Sequence, residues 1–396
     1  MATEECITLL PYLKAVPDVR HARGKQYELW VLLMILCLAL LSGEKTVWGI
    51  VEWAVAHAGE LMRSLELPKA RIPSRSTFYV TLREIGIEGL ERQIGQMGTA
   101  MEAENRRSQT IVGADGHPLR GLAVDGKALR GALAHGDKEI LVSLVGHGDG
   151  IVMGQAQVDV KTNEITVVPQ LLVGRNLRDV VITMDAMHTQ RALAQQILDQ
   201  GGDYLMLVKE NQPELYANID LLFQSPPLCP GEEDRLAYST ADKAHGRAEK
   251  RTLETSAQLS AYLKWPGAQQ VIRRTYHAVD LKTGAVCHKV TYGTLAPACS
   301  AGVTSLSRAR ALPKHIAALR RAHWTIENVD HYVRDETLGE DRCQLHSGHS
   351  AQALAALRNA VLNVLRYQGW SSIPAGTRHY GACLHKALLL LGVPAP

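Results

Sequence analysis

The sequence predicts an α/β fold preceded by a helical region. Residues 1 to about 105 carry apolar residues at helical spacing, whereas short β-branched runs bounded by Gly and Asp begin at Leu119. Apolar residues make up 46% of the chain and aromatic residues only 5%, so the cores must be mainly aliphatic. A chain of 396 residues with this composition is long enough for two or three packed domains.

The composition also excludes several protein classes. The seven Cys contain no CxxC pair, which argues against a disulfide framework or a zinc ribbon and favours a reducing compartment such as the cytoplasm. The longest apolar run, residues 29–41, has 13 residues. A membrane-spanning helix needs about 20. We therefore expect a buried helix there and no association with a membrane.

Three helices are predicted near the N-terminus. The first ends at Ser42-Gly43, the second covers residues 47–54, and the third begins after Ser74 or Ser76, either of which can cap it. The buried face of the third helix would carry Phe78, Leu82 and Ile85. Arginines around this helix could read DNA in a helix-turn-helix, and an ordinary helical bundle is the equal alternative. These arginines are Arg71, Arg75 and Arg83.

Five strand candidates follow the helical region. They are LRGLAVDGKAL (119–129), EILVSLVG (139–146), IVMGQAQV (151–158), DVVITMDA (179–186) and DYLMLVKE (203–210). Short turn-rich gaps separate the first three, which favours antiparallel pairing. The last two flank a helix-like stretch, which implies a parallel pair. This is the strand order of a ribonuclease H-like mixed sheet.

Weaker strand candidates at residues 269–279 and 285–295 predict a mostly β insertion, and long helices return at 313–334 and 350–367. We therefore divide the chain into five segments. They are a helical N-terminal domain with possible DNA-binding function (1–108), the first part of a catalytic core (109–215), a basic, mostly β insertion (216–310), the second part of the core (311–370) and a C-terminal tail (371–396).

Two aspartates stand where predicted strands could form a site. Asp125 lies in an apolar stretch, where a carboxylate is costly unless it binds a cation or caps a hydrogen-bond network, and Gly126 lets a partner approach the backbone. Asp185 ends another strand, at the edge where ligands gather in open α/β sheets. A turn residue and a helix N-cap are the alternative interpretations, and each aspartate alone leaves them open.

Glu327 lies on a predicted helix with two distinct faces. One face is apolar, with Ile316, Leu319, Ala322, Ile326, Val329 and Val333. The neighbouring face carries Arg320, His323, Glu327, His331 and Arg334. A solvated face rarely collects two His, two Arg and a single acid, so this pattern indicates a functional surface, with an exposed salt-bridged face as the alternative. Three acids from two strands and a helix suit two Mg²⁺ ions about 4 Å apart, because Mg²⁺ prefers oxygen ligands.

Several sequence blocks resemble a known family. In chain order they are AVDGKALRGA, ITMDAMHTQ, YLMLVKENQPEL, HGRAEKR and RAHWTIENVDHYVRDETLGED. They resemble blocks of bacterial insertion-sequence DDE transposases of the H-repeat-associated (ISAs) family. VPDVRHARGKQYEL, the apolar helix and IPSRSTF resemble the N-terminal domain associated with that family. The resemblance spans about Leu10 to Tyr367.

The resemblance implies a ribonuclease H-like core in which Asp125, Asp185 and Glu327 are the catalytic, metal-binding triad. It implies two Mg²⁺ ions, with Mn²⁺ as a substitute, and strand cleavage followed by strand transfer at the inverted-repeat ends of an insertion sequence. The implied partners are double-stranded DNA, both transposon ends and target, and a second copy of the chain in the DNA complex. The implied location is the bacterial cytoplasm, in association with the nucleoid.

The resemblance also implies residues that contact DNA. His188, Lys209, Asn211 and Gln212 match family positions that line the DNA channel or support the site. Basic residues that flank the glutamate in related transposases are only partly matched, by His323 and Arg334. Lys127, Arg247, Arg251 and Arg320 complete the predicted DNA-binding set. Glu340 and Asp341 could serve as additional acids of the site, but we expect them to be solvated at a helix end.

The charge distribution predicts where DNA lies. The net charge of the chain is only +3, but residues 241–334 hold 15 basic and 6 acidic side chains, a net charge of +9. The remaining residues carry a net charge of −6. A basic region of this kind would give DNA binding that weakens strongly with salt.

Two other functions remain open from the sequence. A catalytically inactive or repurposed DNA-binding protein would keep the fold and the basic region without cleaving DNA. A metal-dependent phosphohydrolase of small substrates would give the basic insertion no role.

Overall fold

The computed structural model describes residues 6–22, 25–68, 71–104, 111–131, 139–158, 164–209, 211–224, 234–244, 246–258, 262–287 and 299–394. The helices in these ranges are α1 (Leu10–Lys14), α2 (Leu29–Leu41), α3 (Val47–Ala56), α4 (Ala58–Ser64), α5 (Arg75–Glu84), α6 (Ile87–Glu104), α7 (Glu164–Leu172), α8 (Arg191–Asp199), α9 (Pro213–Gln224), α10 (Pro313–Ala322), α11 (Ser350–Tyr367), α12 (Ile373–Gly381) and α13 (Leu384–Leu391). The strands are β1 (Ile111–Val112), β2 (Pro118–Ala128), β3 (Ile140–Gly146), β4 (Val152–Gln157), β5 (Val180–Met184), β6 (Asp203–Val208), β7 (Leu236–Ala244), β8 (Arg247–Ser256), β9 (Gln270–Asp280), β10 (Val286–Cys287) and β11 (Cys299–Thr304).

The chain divides into two compact units, each built from separated stretches. The first unit contains Met1–Gln109, Asp125–Val167 and Thr325–Pro396. The second contains Thr110–Val124 and Val168–Trp324. The boundaries of these units differ from those of the five segments expected from the sequence. The five segments remain predictions.

The core of the first unit is built around α2. Every residue of α2 except Trp30 is buried, which confirms the prediction of a buried helix in this apolar run. Helices α1 and α3 pack against it, as do α11, α12 and α13 from the other end of the chain. Burial on all sides is what an entirely apolar helix requires, because no polar face is available for water.

Glycines allow α6 to approach β4 closely in the same unit. A Cβ atom added to Gly95 would lie 2.9 Å from the carbonyl oxygen of Met153, and one added to Gly98 would lie still closer to that of Val152. On α11, the Asn363 amide donates to the Val152 carbonyl and accepts from the Val152 N–H, both at 2.8 Å. Helices from both ends of the chain are therefore fixed to one strand.

The third predicted helix is confirmed as α5. Ser74 caps it by accepting a hydrogen bond from the Thr77 N–H at 3.4 Å. The expected buried face, Phe78, Leu82 and Ile85, is buried. Arg75 lies on the exposed side, with its guanidinium 3.3 Å from the ring centre of Trp48.

The second unit contains a large mixed sheet with the strand order β2-β5-β6-β11-β9-β8-β7. Strand β2 is parallel to β5, with Val124 paired to Met184, and β5 is parallel to β6. The remaining neighbours in this order are antiparallel. The predicted parallel pair around α8 is confirmed, as is the antiparallel pair β3 and β4 in the first unit. The candidate at 269–279 corresponds to β9, whereas most of the candidate at 285–295 lies outside the described residues.

The predicted helix at 313–334 is not continuous. Helix α10 ends at Ala322, and the chain then forms π-helical turns at Ile326–His331 and Val333–Thr337. The Tyr332 N–H donates to the Glu327 carbonyl and the Leu338 N–H to the Val333 carbonyl, each five residues back. A π turn holds more residues than an α turn, so side-chain faces predicted at α-helical spacing do not persist beyond this point.

Among the described residues, no helix has the length and apolar character needed to cross a membrane.

Candidate active site

Asp125 lies in the part of β2 that belongs to the first unit. Its side chain is 25% exposed, and its Oδ2 atom lies 3.9 Å from Nδ1 of His331. The next residue, Gly126, is approached so closely by the Glu164 carboxylate that a Cβ atom would overlap it. A close approach to the backbone at Gly126 was predicted from the sequence. The group that approaches it is the Glu164 carboxylate, which belongs to the same unit.

Glu327 is an exposed side chain on the first π turn. The same turn carries His331, which lies beside Asp125. Two of the three predicted triad residues are therefore connected in the first unit through one helical segment. Asp330, which lies between Glu327 and His331 in sequence, is completely buried, although the predicted faces did not place an acid in the interior.

Asp185 follows β5 in the second unit, and its side chain is 47% exposed. Its Oδ1 atom lies 3.9 Å from Nε2 of His323, just beyond the end of α10. The other ring nitrogen of His323 is 2.9 Å from the Thr183 hydroxyl, inside β5. The strand that presents Asp185 therefore also holds the neighbouring imidazole in place.

His323 is buried and His331 is only 13% exposed, and both imidazoles are neutral at physiological pH. Burial and, to a smaller extent, the nearby charge of Arg320 lower the pKa of His323 to about 4. Burial likewise lowers the pKa of His331 to about 4, although Asp330 opposes this effect. A separation of 3.9 Å is too long for a hydrogen bond. Each aspartate therefore has a neutral imidazole beside it, which adds no positive charge.

Hydrogen bonds from two side chains stabilise the turn that follows Asp185. The Asn211 amide donates to the Ala186 carbonyl at 2.5 Å, and the Gln212 amide donates to the Thr189 carbonyl at 3.0 Å. His188, within this turn, is buried, with only 1% of its surface exposed. Asn211 and Gln212 therefore stabilise this turn, and a contact with DNA stays a prediction for both.

Two predicted DNA contacts lie in the protein interior. Arg334 is fully buried, with its guanidinium 2.8 Å from Glu340 and 3.5 Å from Asp330. Lys127 is also buried, and its ammonium group pairs with acids of the same region. Such burial leaves neither side chain exposed to a DNA phosphate, and the π turns explain why the α-helical face failed at Arg334. Glu340 is 2% exposed, so the expectation of a solvated acid was wrong for this residue.

Two further arginines belong to this buried network and were not predicted from the sequence. Arg358 and Arg366 lie on α11, where their neighbours in sequence are mostly Ala, Leu and Val. Arg358 lies 3.6 Å from Glu340, and Arg366 lies 3.9 Å from Asp330. Two arginines within a mostly apolar helix were the available signal, because a buried cation needs an acidic partner.

The other predicted DNA contacts are more accessible. Lys209 and Arg247 are exposed, and Arg251 and Arg320 are partly exposed. Arg251 pairs with Asp242 at 2.7 Å. Their roles in DNA binding stay predictions.

An arginine that the sequence analysis did not select lies among these cations. Burial lowers the pKa of Arg274 on β9, as do the charges of Arg320 and Arg251. Arg321 also lies nearby and shares Asp242 with Arg251. This concentration of positive charge lies within residues 241–334, the region that the charge count identified.

The three predicted metal ligands have suitable chemistry. Carboxylate oxygens are the ligands that Mg²⁺ prefers, and Asp125, Asp185 and Glu327 are all at least partly accessible. Within the described ranges, no group of three or more His, Cys, Asp or Glu residues is arranged closely enough to hold a metal ion. The donor type fits the implied metal, and the metal site itself stays a proposal.

Comparison with known proteins supports the resemblance. The chain is similar over 363 residues to the "H repeat-associated putative transposase YhhI" of Escherichia coli K12, with 25% identity and 90% of each chain covered. It is 26% identical over 364 residues to the "Putative transposase YncI" of Escherichia coli O157:H7, covering 91% of this chain and 87% of the relative. An uncharacterized protein of Xanthobacter autotrophicus is 29% identical over 271 residues, covering 66% of this chain and 86% of the relative.

Two family models match successive parts of the chain. The model of the domain associated with DDE transposases matches residues 10–97. The model of the transposase DDE domain matches residues 116–364, a range that includes Asp125, Asp185 and Glu327. Because this second match covers more than half of the chain, the protein belongs to the DDE transposase family.

Proposed function

We propose that this protein cleaves DNA at the inverted-repeat ends of an insertion sequence and transfers the released 3′ ends to target DNA. Asp125, Asp185 and Glu327 are its catalytic triad. The observation that carries the proposal is the register of β2 and β5, in which Val124 is paired with Met184. Asp125 and Asp185 each follow a member of this pair directly in sequence.

The three carboxylates would hold two divalent cations, which would supply charge stabilisation for the attacking and leaving oxygens of phosphoryl transfer. The surrounding residues suit this role. His323 and His331 are both neutral, so neither competes with a cation for the neighbouring aspartate. Asn211 and Gln212 restrict the turn after Asp185 and thereby limit the positions that its carboxylate can take.

The basic side chains of the second unit would bind the DNA backbone. Arg247 and Lys209 are exposed, and Arg251, Arg274 and Arg320 lie together. Guanidinium groups suit this task because they bind phosphate oxygens in a fixed, bidentate geometry. Transposition joins two DNA ends, so we propose that a homodimer forms in the DNA complex, in the cytoplasm of the host bacterium.

The proposal is tested with the full chain, a duplex that carries one end of the element, and Mg²⁺. Asp125→Asn, Asp185→Asn and Glu327→Gln should each reduce strand cleavage by at least about 100-fold, because each removes a charge that acts on the transition state. DNA retention at low salt should persist in all three variants. Glu336→Gln, an exposed acid nine residues after Glu327, is the matched control and should cleave normally.

Each alternative function predicts a different outcome. Salt-dependent DNA binding without metal-dependent cleavage by the wild type would favour the repurposed DNA-binding protein. Hydrolysis of small phosphate esters without DNA retention would favour the phosphohydrolase. Full activity in any of the three triad variants would refute the assignment of that residue. Imperfect inverted repeats around the gene, with short direct duplications outside them, would provide independent support.

A further inference from the structure

Lys127 is a buried cation close to a proposed metal ligand in sequence. It follows Asp125 by two residues on β2, and its side chain is 6% exposed. Its ammonium nitrogen lies 2.6 Å from Asp335, 3.0 Å from Glu340 and 3.6 Å from Asp341. An ammonium group surrounded by three carboxylates in the interior is unsuited to binding a DNA phosphate.

The three acids that surround Lys127 belong to the segment that carries Glu327. Asp335 lies on the second π turn, and Glu340 and Asp341 lie in the short helical turn that follows it. Arg334 strengthens this connection, because its Nε and Nη2 atoms both donate to Oε2 of Glu340 at 3.0 Å. Lys127 therefore joins β2 to two successive turns of one segment.

Asp125 contacts the same segment through His331, at 3.9 Å. Side chains two residues apart on a strand point to the same face of the sheet. Asp125 and Lys127 are therefore neighbours on the face of β2 that contacts this segment. The ion pairs of Lys127 are shorter and more buried than the contact between Asp125 and His331. Lys127 therefore supplies close, buried ionic contacts between this part of β2 and the segment that carries Glu327.

We propose that Lys127 is a positioning residue that acts through Asp125. Its ion pairs hold β2 against the segment that carries Glu327, and this arrangement gives the two carboxylates the geometry needed to bind a divalent cation. The inference rests on the proposed function, because that function makes Asp125 and Glu327 metal ligands. It replaces the predicted contact between Lys127 and DNA with a role inside the protein.

The test measures Mn²⁺ affinity of the full chain, from the electron paramagnetic resonance signal of free Mn²⁺. Lys127→Met should weaken Mn²⁺ binding by about 10-fold to 100-fold, the usual effect of losing a residue that orients a metal ligand. In an Asp125→Asn background the same substitution should have almost no further effect, because residues that act as one unit are not additive. Lys127→Arg should restore part of the affinity.

A simple charge effect predicts the opposite sign, because loss of a nearby cation would strengthen the attraction for Mn²⁺. Unchanged or tighter Mn²⁺ binding by Lys127→Met would therefore overturn the inference, as would a full additional loss in the Asp125→Asn background. Arg130→Met is the matched control. Arg130 lies 3.8 Å from Asp341, but its side chain is 75% exposed, so its loss should leave Mn²⁺ affinity unchanged.

DNA binding at several salt concentrations separates this role from a direct contact. Loss of one phosphate contact would lower the slope of log affinity against log salt by about 0.9. We expect the slope of Lys127→Met to equal that of the wild type, and a reduced slope would overturn the inference. If Lys127→Met does not fold, Asp335→Asn provides the test, with about 10-fold weaker Mn²⁺ binding expected. The same substitution should have almost no further effect in an Asp125→Asn background, whereas a simple loss of negative charge would still weaken binding there. Unchanged affinity in that folded variant would overturn the inference.

Failure of the proposed function gives a different pattern. A wild type that binds Mn²⁺ through Asp125 but cleaves no DNA would refute the proposed function and leave the positioning role supported or refuted by the Mn²⁺ data. A wild type that cleaves DNA, together with a Lys127→Met variant of equal Mn²⁺ affinity, would refute only the positioning role. A wild type without Mn²⁺ binding would refute both.

Discussion

Glu340 offers the strongest test of how the buried charges stabilise the first unit. Its carboxylate lies 2.8 Å from Arg334, 3.0 Å from Lys127 and 3.6 Å from Arg358. Burial alone would raise the pKa of Glu340, but the three cations and the hydrogen bonds from Arg334 outweigh it and lower the pKa to about 2. Glu340→Gln keeps the shape of the side chain and removes the charge that these cations share.

The loss of stability in Glu340→Gln can be calculated in two ways. A pKa lowered from 4.5 to about 2 corresponds to about 3 kcal/mol of stabilisation by the charged carboxylate. Removing one partner from a buried ion pair typically costs about 3–5 kcal/mol. We therefore expect Glu340→Gln to lower the free energy of unfolding of the first unit by about 3 kcal/mol at pH 7.

The pH dependence follows from the direction of the shift. Because the pKa is lower in the folded protein, the stabilisation is present above pH 4.5 and is lost as the pH falls toward about 2. The difference between wild type and variant should therefore fall to about half at pH 3. Hydrogen exchange of the buried α11 amides measures this free energy within the first unit.

A matched variant makes the result decisive. Glu336 is an exposed acid four residues before Glu340, and Glu336→Gln should change the free energy of unfolding by less than about 0.5 kcal/mol. A loss below about 1 kcal/mol in Glu340→Gln, or equal losses in the two variants, would refute the conclusion that the network depends on the charge of Glu340.

Two further predictions concern the packing and pH response of the first unit. Gly98→Ala should destabilise the protein by about 2 kcal/mol in urea unfolding, because the new methyl group would overlap the carbonyl of Val152. Gly59→Ala should instead be neutral or stabilising by up to about 1 kcal/mol, because it meets only a flexible side chain, and equal effects of the two would contradict the packing argument. Burial raises the pKa of Glu91 to about 7, so its contribution to stability is lost as the pH rises from 4.5 to about 7. Glu91→Gln should therefore stabilise the protein by about 3 kcal/mol at pH 8 and by little at pH 4.5, as measured by thermal denaturation, and an equal gain at both pH values would contradict this explanation.

Local sequence predicted many individual elements. The buried helix α2, the Ser74 cap of α5 and the parallel pair β5 and β6 were all predicted, because hydrophobic period, capping chemistry and connection length are encoded in neighbouring residues. Strands β7 and β8 were harder to recognise. They mix charged and small residues, so no clean alternation marks them, and their pairing with β9 is a property of the folded sheet.

The candidate site was also only partly predictable from the sequence. The three acids were selected from their positions in sequence, and their role as a triad stays a prediction that belongs to the proposed function. The interior positions of Arg334 and Glu340 could not be predicted, because the π turns shift the helical face by a spacing that the sequence pattern does not reveal.

The sequence by itself determined the family, the types of residue available for chemistry and the concentration of positive charge in residues 241–334. Tertiary structure decided which charges are interior and what they contact. Lys127, Glu340 and Arg358 are far apart in the chain, and each is acceptable in the interior only because the others neutralise it there. The sequence does not show whether a charged side chain is solvated or is paired in the interior. Only the folded chain distinguishes a side chain that could bind DNA from one that stabilises the protein.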